Sequence, residues 1–324
     1  MKNYDKSTTR NALPFGALID AIHALFVAGC EVPLRHTHKI VSDSGAPDDA
    51  DAAVTAQGTV LVMPAWQPGA FLGIKTVNIF PGNASRGLPG LFSTYVLYDA
   101  TTGEPLAQLD GDEITSRRTV AASALAARYL AREDASTLLV VGAGRVAALL
   151  PEAYSAVRPI KTVQIWSRRP ESAAAQAASW RAAGFNAVAV TDLQSAVTQA
   201  DIVSCATLAT EPVIKGAWLS AGSHLDLIGG FTPQMREADD ACFVGSRLYV
   251  DTNEALLKSG DLLGPMSRGV FAAEAVSGTL EALCRGKASG RASATERTVF
   301  KSVGTALEDL AAAMLAYRSI KAVS

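Results

Sequence analysis

The chain has 324 residues, a length typical of two domains. Its composition, 49% hydrophobic and 19% charged, is that of a globular protein and excludes a disordered chain, a collagen-like chain and a disulfide scaffold. A net charge of −2 gives no basic excess for nucleic acid. There is no apolar run long enough to span a membrane and no signal-type start, and the four cysteines are widely spaced. We therefore expect a cytoplasmic protein with reduced thiols and no membrane partner.

The first third of the chain predicts a helix followed by a sheet. Residues 12–30 carry apolar side chains at helical spacing, and the stretch 42–51, with several Asp, Gly and Pro residues, is typical of a loop. Short β-like runs separated by turn signals follow, at 59–64, 71–80, 91–98 and 106–109. Consecutive strands with such short connections predict an antiparallel sheet.

The pattern changes near Thr115 to helices that alternate with strands. A helix at 119–131 precedes the wholly apolar run 137–141, which is typical of a strand buried on both faces. Further helices are predicted at 145–157, 171–183 and 192–199, and further strands at 162–166, 187–190, 201–205, 224–228 and 247–250. Two tail helices are predicted at 272–285 and 299–317, the second with one apolar stripe. The alternation predicts a doubly wound parallel sheet.

A glycine-rich turn follows the apolar run 137–141 directly. Gly142, Ala143 and Gly144 begin a GxGxxA pattern that ends at Ala147 and leads into a predicted helix. The first glycine allows a tight turn, the second lets a pyrophosphate approach the backbone, and the small Ala147 allows close packing of helix on strand. The context of strand, turn and helix favours a dinucleotide site over an ordinary glycine turn.

The residues after the second strand of this region indicate which dinucleotide binds. NAD sites usually place a carboxylate there to hold the ribose 2′-hydroxyl. This chain instead has Ser167, Arg168 and Arg169. Because an arginine fork suits a 2′-phosphate, NADP(H) is favoured and NAD(H) stays possible. The alternative is an arginine pair on a solvated loop.

Three cations lie among or beside the β-like runs of the first region. Taken alone, Lys75 is expected to point to solvent, because a buried lysine without a partner is rare. Arg35 and Arg118 could bind a small carboxylate through their guanidinium forks. His36 and His38 alternate beside Arg35, and either they contact substrate or they are solvated strand residues. No His, Cys or Asp spacing suggests a metal.

Along nearly its whole length the chain resembles the ornithine cyclodeaminase/mu-crystallin family. The matching segments include LGIKTVNIFPGN, RGLPG, DGDEITSRRTVAASALAARYLA, LVVGAGRVA, VQIWSRRPE and TVFKSVGTALEDLAAA. The resemblance implies an α/β fold in which a Rossmann-type doubly wound parallel sheet, residues 118–299, is inserted into an α+β dimerisation and substrate domain. The dimerisation and substrate domain contains the antiparallel sheet and comprises residues 1–117 and 300–324. A homodimer is implied as well.

The resemblance also implies roles for single residues. Arg35 and Arg118 match the arginines that hold a substrate carboxylate, and Lys75 matches the active-site lysine. The positions that match cofactor-binding residues are Gly142, Ala143, Gly144, Arg145, Val146, Ser167, Arg168, Arg169 and Thr207. Among these, the segment 167–169 corresponds to the part that takes the NADP 2′-phosphate. Thr207 is expected to border the adenosine or the nicotinamide side.

Two departures from the family pattern bear on the substrate. Phe231 stands where ornithine cyclodeaminases carry a catalytic Asp, and Gly90 stands where they often have Thr. Asp226, five residues before Phe231, is not expected to replace that Asp. The segment GSHLDLIGGFTPQMREAD is more similar to that of Δ1-pyrroline-2-carboxylate reductases, some of which also accept Δ1-piperideine-2-carboxylate.

The expected activity is therefore NADPH-dependent reduction of a small anionic cyclic imino acid, with Lys75 donating a proton to the imine nitrogen. Three alternatives stay open. They are ornithine cyclodeamination, oxidation of an open-chain amino acid as in alanine or N-methylamino-acid dehydrogenases, and NADPH-dependent ligand binding as in mu-crystallin.

Overall fold

The computed structural model describes residues 1–41 and 56–323, so the loop predicted at 42–51 lies outside the described residues. The chain divides into two compact units. The first comprises Met1–Pro14, Ala28–Thr115 and Ala306–Ser324, and the second comprises Phe15–Val27 and Ser116–Thr305.

The strands are β1 (Lys2–Asn3), β2 (His36–Val41), β3 (Ala56–Trp66), β4 (Phe71–Ile79), β5 (Leu91–Asp99), β6 (Pro105–Asp110), β7 (Thr137–Val141), β8 (Thr162–Trp166), β9 (Ala187–Ala189), β10 (Ile202–Cys205), β11 (His224–Leu227), β12 (Ser246–Val250), β13 (Val276–Thr279) and β14 (Arg297–Lys301). The α-helices are α1 (Lys6–Asn11), α2 (Phe15–Ala28), α3 (Gly111–Leu130), α4 (Leu150–Ser155), α5 (Pro170–Ala182), α6 (Leu193–Gln199), α7 (Ala255–Lys258), α8 (Gly260–Ser267), α9 (Leu280–Cys284) and α10 (Ala306–Val323).

The first unit contains a six-stranded sheet in the order β1-β6-β5-β4-β3-β2. Strands β2 to β6 pair antiparallel in sequence order, as the short connections predict, and β1 adds in parallel beside β6. Helix α10 packs on β3, β4 and β5, and the side chains of Met63, Val77 and Leu97 are buried on that face. On the opposite face Val62, Ile74 and their neighbours are only half-buried.

The second unit is built on an eight-stranded, wholly parallel sheet in the order β13-β12-β14-β11-β10-β7-β8-β9. Strand β10 is buried at every residue and β7 at all but its first, because helices cover both faces of such a sheet. The strand order reverses between β7 and β10. From β7 the chain adds β8 and β9 on one side, and from β10 it adds β11 and the later strands on the other side. The predicted α/β fold, with a Rossmann-type sheet and a separate antiparallel sheet, is confirmed.

Two of the predicted helices, at 272–285 and 299–317, were partly wrong, because each range includes a strand. Val299 belongs to strand β14, which lies between β11 and β12, and not to a helix running from 299 to 317. Gly304, whose φ is +80°, lies in the connection that separates β14 from α10. The helix predicted at 272–285 is a short 3₁₀ turn, strand β13 and helix α9. A short buried strand and one face of a helix both read as apolar runs, which explains both errors.

The boundaries of the two units differ from the expected ones at two places. The segment Phe15–Val27 and residues 300–305 group with the second unit, although the resemblance had implied the dimerisation and substrate domain for both. No helix in the described part of the chain is long and apolar enough to cross a membrane.

Candidate active site

A cleft of about 960 Å³ lies in the second unit at the carboxyl ends of β7, β8 and β10. Open α/β sheets bind ligands at this edge, where the strand order reverses. The predicted cofactor residues that line the cleft are Gly142, Ala143, Gly144, Ser167, Arg168, Arg169 and Thr207. Arg145 and Val146 are not among the lining residues; they continue the turn, and Arg145 is exposed.

The glycine turn has a physical reason for each small residue. Gly142 has φ +116°, and a Cβ there would lie 2.5 Å from the carbonyl oxygen of Ala206, so a side chain is excluded twice. Gly144 has nothing within 4 Å of its Cβ position, which leaves open space beside the backbone for a ligand. Ala147 is fully buried at the start of the 3₁₀ turn that leads into α4. The turn therefore fits a pyrophosphate.

The connection from β8 to α5 places two cations at the cleft. Arg168 and Arg169 are both exposed, and the hydroxyl of Ser167 donates a hydrogen bond of 2.6 Å to the carbonyl oxygen of Arg169. Helix α5 begins at the next residue, Pro170. The loop is held by its own hydrogen bond while both guanidinium groups stay accessible, as a 2′-phosphate site requires.

Thr207 is hydrogen-bonded to Glu237, a residue that the sequence analysis did not identify. The carboxylate of Glu237 accepts hydrogen bonds from the backbone N–H and the hydroxyl of Thr207, at 2.7 and 2.8 Å. Glu237 is fully buried, and burial raises the pKa of its carboxyl to about 7. Glu237 lies in a charged stretch, MREADD, whose composition is typical of a solvated loop, so no local pattern indicated a buried role for it.

Lys75 does not point to solvent, and the expectation from its strand position alone was wrong. Only 1% of the side chain is exposed, and its Nζ lies 2.6 Å from Oδ2 of Asp309 on α10. Tyr95 pairs with Lys75 in register on β5; burial, with a contribution from Asp309, raises the pKa of the Tyr95 phenol. The ion pair with Asp309 provides the partner that a buried lysine needs.

Asp309 is the second residue that the sequence analysis missed. It is fully buried in a helix whose apolar stripe was recognised. The stripe did not reveal it, because Asp309 is two residues after Leu307 and therefore lies about 200° away from it around the helix, outside the stripe. A carboxylate at such a position is expected to face solvent unless another element covers it.

Arg118 is buried on α3 in the second unit, with 6% of the residue exposed. A Cβ on Gly304 would collide with the guanidinium of Arg118, so the glycine makes room for it. Asp251 accepts the N–H groups of Val303 and Gly304; burial raises the pKa of its carboxyl, and the positive charge of Arg118 opposes that shift. Arg35 is half-buried just before β2, so it belongs with Lys75 to the first unit.

Asp226 does not line the cleft. It is fully buried in β11 and accepts hydrogen bonds from the hydroxyls of Ser123, Tyr154 and Ser204. Burial raises the pKa of its carboxyl to about 6. Phe231 follows the same strand and is 42% exposed.

The parallel sheet, the glycine turn and the cleft beside it define a dinucleotide-binding protein of the Rossmann class. Residues 46–324 match the model of the ornithine cyclodeaminase/mu-crystallin family. The chain belongs to this family, which confirms the resemblance.

Within this family, the chain is similar to reductases and dehydrogenases that have been named. The chain is 45% identical to the Δ1-pyrroline-2-carboxylate reductase of Paracoccus denitrificans, over 78% of this chain and 81% of that protein. The structure of the Thermococcus litoralis Δ1-pyrroline-2-carboxylate reductase, in complex with NADH and L-proline, superposes with a TM-score of 0.90 at 31% identity, covering 100% and 98% of the two chains. An archaeal alanine dehydrogenase dimer with bound NAD superposes with a TM-score of 0.89 at 27% identity, covering 100% and 97%.

Proposed function

We propose that this protein is an oxidoreductase that reduces a cyclic imino acid, Δ1-pyrroline-2-carboxylate or its six-membered homologue, with NADPH. The observation that carries the proposal is the buried Lys75–Asp309 ion pair, in a chain whose second unit has a dinucleotide cleft. A buried lysine is rare unless it is paired or used in chemistry, and two of the three named relatives are Δ1-pyrroline-2-carboxylate reductases.

Each residue has a definite task in this reaction. The guanidinium groups of Arg35 and Arg118 bind the substrate carboxylate and so orient the neighbouring C=N bond. Lys75 donates a proton to the nitrogen as that bond becomes an amine. Asp309 keeps the ammonium group of Lys75 in place and balances its charge. The nicotinamide, when bound, supplies the hydride for the imine carbon.

The residues near β11 disfavour ornithine cyclodeamination. The aromatic ring of Phe231 cannot accept a proton at the position of the cyclodeaminase Asp. Asp226, the nearest carboxylate before it in sequence, is enclosed by three hydroxyl groups inside the sheet. A binding protein of the mu-crystallin type would need no proton donor, so the Lys75–Asp309 pair favours catalysis over binding alone.

The preference for NADPH is part of the proposal. Its support is the pair of exposed guanidinium groups at the cleft, Arg168 and Arg169, together with the absence of a carboxylate between Trp166 and Pro170. The two structural relatives contain NADH and NAD, so this chain would differ from them in using the 2′-phosphate.

A homodimer and a cytoplasmic location complete the proposal. The half-buried face of the first sheet carries an apolar row across three strands, in which Pro64, Ile74 and Val96 lie side by side. A second copy of the chain would cover this row. The alanine dehydrogenase relative is a dimer.

The buried thiols of Cys205, Cys242 and Cys284 suit a reducing compartment.

The test is a pair of opposed assays. We expect NADPH oxidation with Δ1-pyrroline-2-carboxylate, followed at 340 nm, and no release of ammonia or L-proline from L-ornithine with NAD⁺. Ammonia and L-proline are the readout for ornithine because a cyclodeaminase regenerates its NAD⁺ and leaves no net NADH. Formation of L-proline is confirmed by chromatography. Turnover of ornithine would contradict the argument from Phe231. If neither assay shows turnover while NADPH still binds, an open-chain substrate or a binding protein would be favoured.

A further inference from the structure

The sheet order gives the direction in which a dinucleotide would lie along the cleft. The residues for the adenosine ribose follow β8, and the glycine turn for the pyrophosphate follows β7. In the sheet, β7 lies between β8 and β10, and β11 comes next. A ligand that runs from β8 across β7 therefore continues to the ends of β10 and β11, so its nicotinamide end belongs there.

Two backbone segments form the edge of the sheet at that point. Thr207 follows β10, and the Gly229–Gly230 turn follows β11. Glu237 joins them, because one carboxylate oxygen accepts both donors of Thr207 and the other accepts the N–H of Gly229 at 2.7 Å. A Cβ on Gly229 would collide with the carbonyl oxygen of Thr207 and with this carboxylate. We call Glu237, Thr207 and Gly229 the Glu237 clamp.

Two further buried charged side chains, Asp261 and Lys301, stabilise the backbone around the Glu237 clamp. Oδ1 of Asp261 accepts the backbone N–H groups of Glu237 and Ala238, at 2.7 and 3.1 Å. Nζ of Lys301 lies 3.3 Å from Oδ2 of Asp261 and donates to the carbonyl oxygen of Leu227 at the end of β11. Asp261, Lys301 and Glu237 are all fully buried, and such an arrangement persists only when its hydrogen bonds are made.

The clamp also reaches the glycine turn. The methyl group of Thr207 lies 3.4 Å from the position that a Cβ of Gly142 would occupy. The turn for the pyrophosphate and the end of β11 are therefore connected through Thr207.

We propose that Glu237 is a positioning residue, which fixes Thr207 and the Gly229–Gly230 turn as one rigid rim for the nicotinamide end of the dinucleotide. The proposal rests on the proposed use of a nicotinamide cofactor. Glu237 does not line the cleft and acts through the two segments that it joins. Only a carboxylate serves both sides, because an amide would turn an NH₂ group toward a backbone N–H.

The test compares a whole dinucleotide with its adenosine end. Dissociation constants of NADPH and of adenosine 2′,5′-bisphosphate are measured by titration calorimetry for the wild type and for Glu237→Gln. We expect NADPH to bind about five- to tenfold more weakly, the effect of about one lost hydrogen bond, while the bisphosphate changes less than twofold. If NADPH binding proves weaker than NADH binding in the wild type, NADH and AMP replace the two probes.

Asp226→Asn is the matched control. Asp226 is an equally buried carboxylate that accepts three hydrogen bonds in the same sheet, but it contacts neither Thr207 nor Gly229. Both variants are expected to lower the melting temperature, and only Glu237→Gln is expected to weaken NADPH binding selectively. Glu237→Asp, which keeps the charge and shortens the reach, serves if the Gln variant does not fold, and it is expected to show the same selectivity.

Equal losses for both probes, or no loss for either, would overturn the proposal. A wild type that binds the dinucleotide but does not reduce the imine would instead overturn the proposed substrate. The binding comparison remains valid in that case, so the two failures are distinguishable.

Discussion

At the scale of single residues, two buried carboxylates determine how the candidate catalytic and cofactor groups are held. Asp309 pairs with Lys75 in the first unit, and Glu237 holds Thr207 in the second. Both carboxylates are fully buried. A buried charge stays in place only if it is paired or hydrogen-bonded, so each of these contacts restricts its partner to one geometry.

The role of Lys75 is tested with Lys75→Met. We expect turnover to fall by about 100-fold or more, because general acid catalysis typically contributes that much, while NADPH affinity stays unchanged. The melting temperature should also fall, because the carboxylate of Asp309 stays buried beside a neutral side chain. Steady-state kinetics, a binding titration and thermal unfolding measure the three quantities.

The double variant Lys75→Met/Asp309→Asn separates stability from catalysis. It removes both charges, so the melting temperature should recover while turnover stays low. Lys39→Met, an exposed lysine on the edge strand of the same sheet, should keep full activity. Near-normal turnover of the double variant would show that Lys75 is not the proton donor.

At the scale of elements, the connections at the carboxyl edge of the parallel sheet line the cleft that we propose for the cofactor. The turn after β7 contributes the glycines and the loop after β8 contributes the cations. Both loops are short; β7 is buried at all but its first residue, and β8 alternates half-buried with buried residues. The strands therefore fix where the loops begin, and the loop residues decide which dinucleotide fits.

The proposed preference for NADPH depends on the loop after β8. We expect Arg168→Ala to raise the KM for NADPH about five- to tenfold, because an exposed charge-assisted hydrogen bond to the 2′-phosphate is lost. The KM for NADH should change less than twofold, since NADH has no phosphate at that position. Lys161→Ala, at the opposite end of β8, is the control. An equal effect on both cofactors would remove the 2′-phosphate interpretation.

At the scale of the whole molecule, the apolar row on the half-buried face of the first sheet is the surface through which we propose that two copies associate. The buried face of the sheet packs under α10, whereas Pro64, Ile74 and Val96 lie half-buried on the other. Apolar side chains on an open sheet face favour a partner. A two-fold axis would pair this face with itself, which is the simplest closed assembly.

Association is tested with Ile74→Glu, which places a carboxylate in the middle of the apolar row. We expect the wild type to run as a dimer and the variant as a monomer in size-exclusion chromatography with light scattering, because burying the charge is costly. Gln57→Glu adds the same charge at the exposed start of β3 and should leave the dimer intact. A monomeric wild type, or a dimeric Ile74→Glu variant, would contradict this interface.

The local patterns of the chain predicted most of the second unit. Strand β7 and the glycine turn after it were identified from a wholly apolar run followed by GxGxxA, and the structure places both as expected. Strand β14 was not identified, because Val299 fits the helical stripe of the following residues as well as it fits a buried strand. Only its place in the sheet, between β11 and β12, distinguishes the two.

The sequence by itself determined the fold class, the family and seven of the residues that line the cleft, because these depend on periodicity, on short motifs and on resemblance along the chain. Only the tertiary structure decided that Lys75 is buried against Asp309 and that Glu237 joins Thr207 to Gly229. Lys75 and Asp309 are separated by more than two hundred residues in sequence. The burial of a charge depends on what packs against it from other elements, and that information is absent from the local pattern.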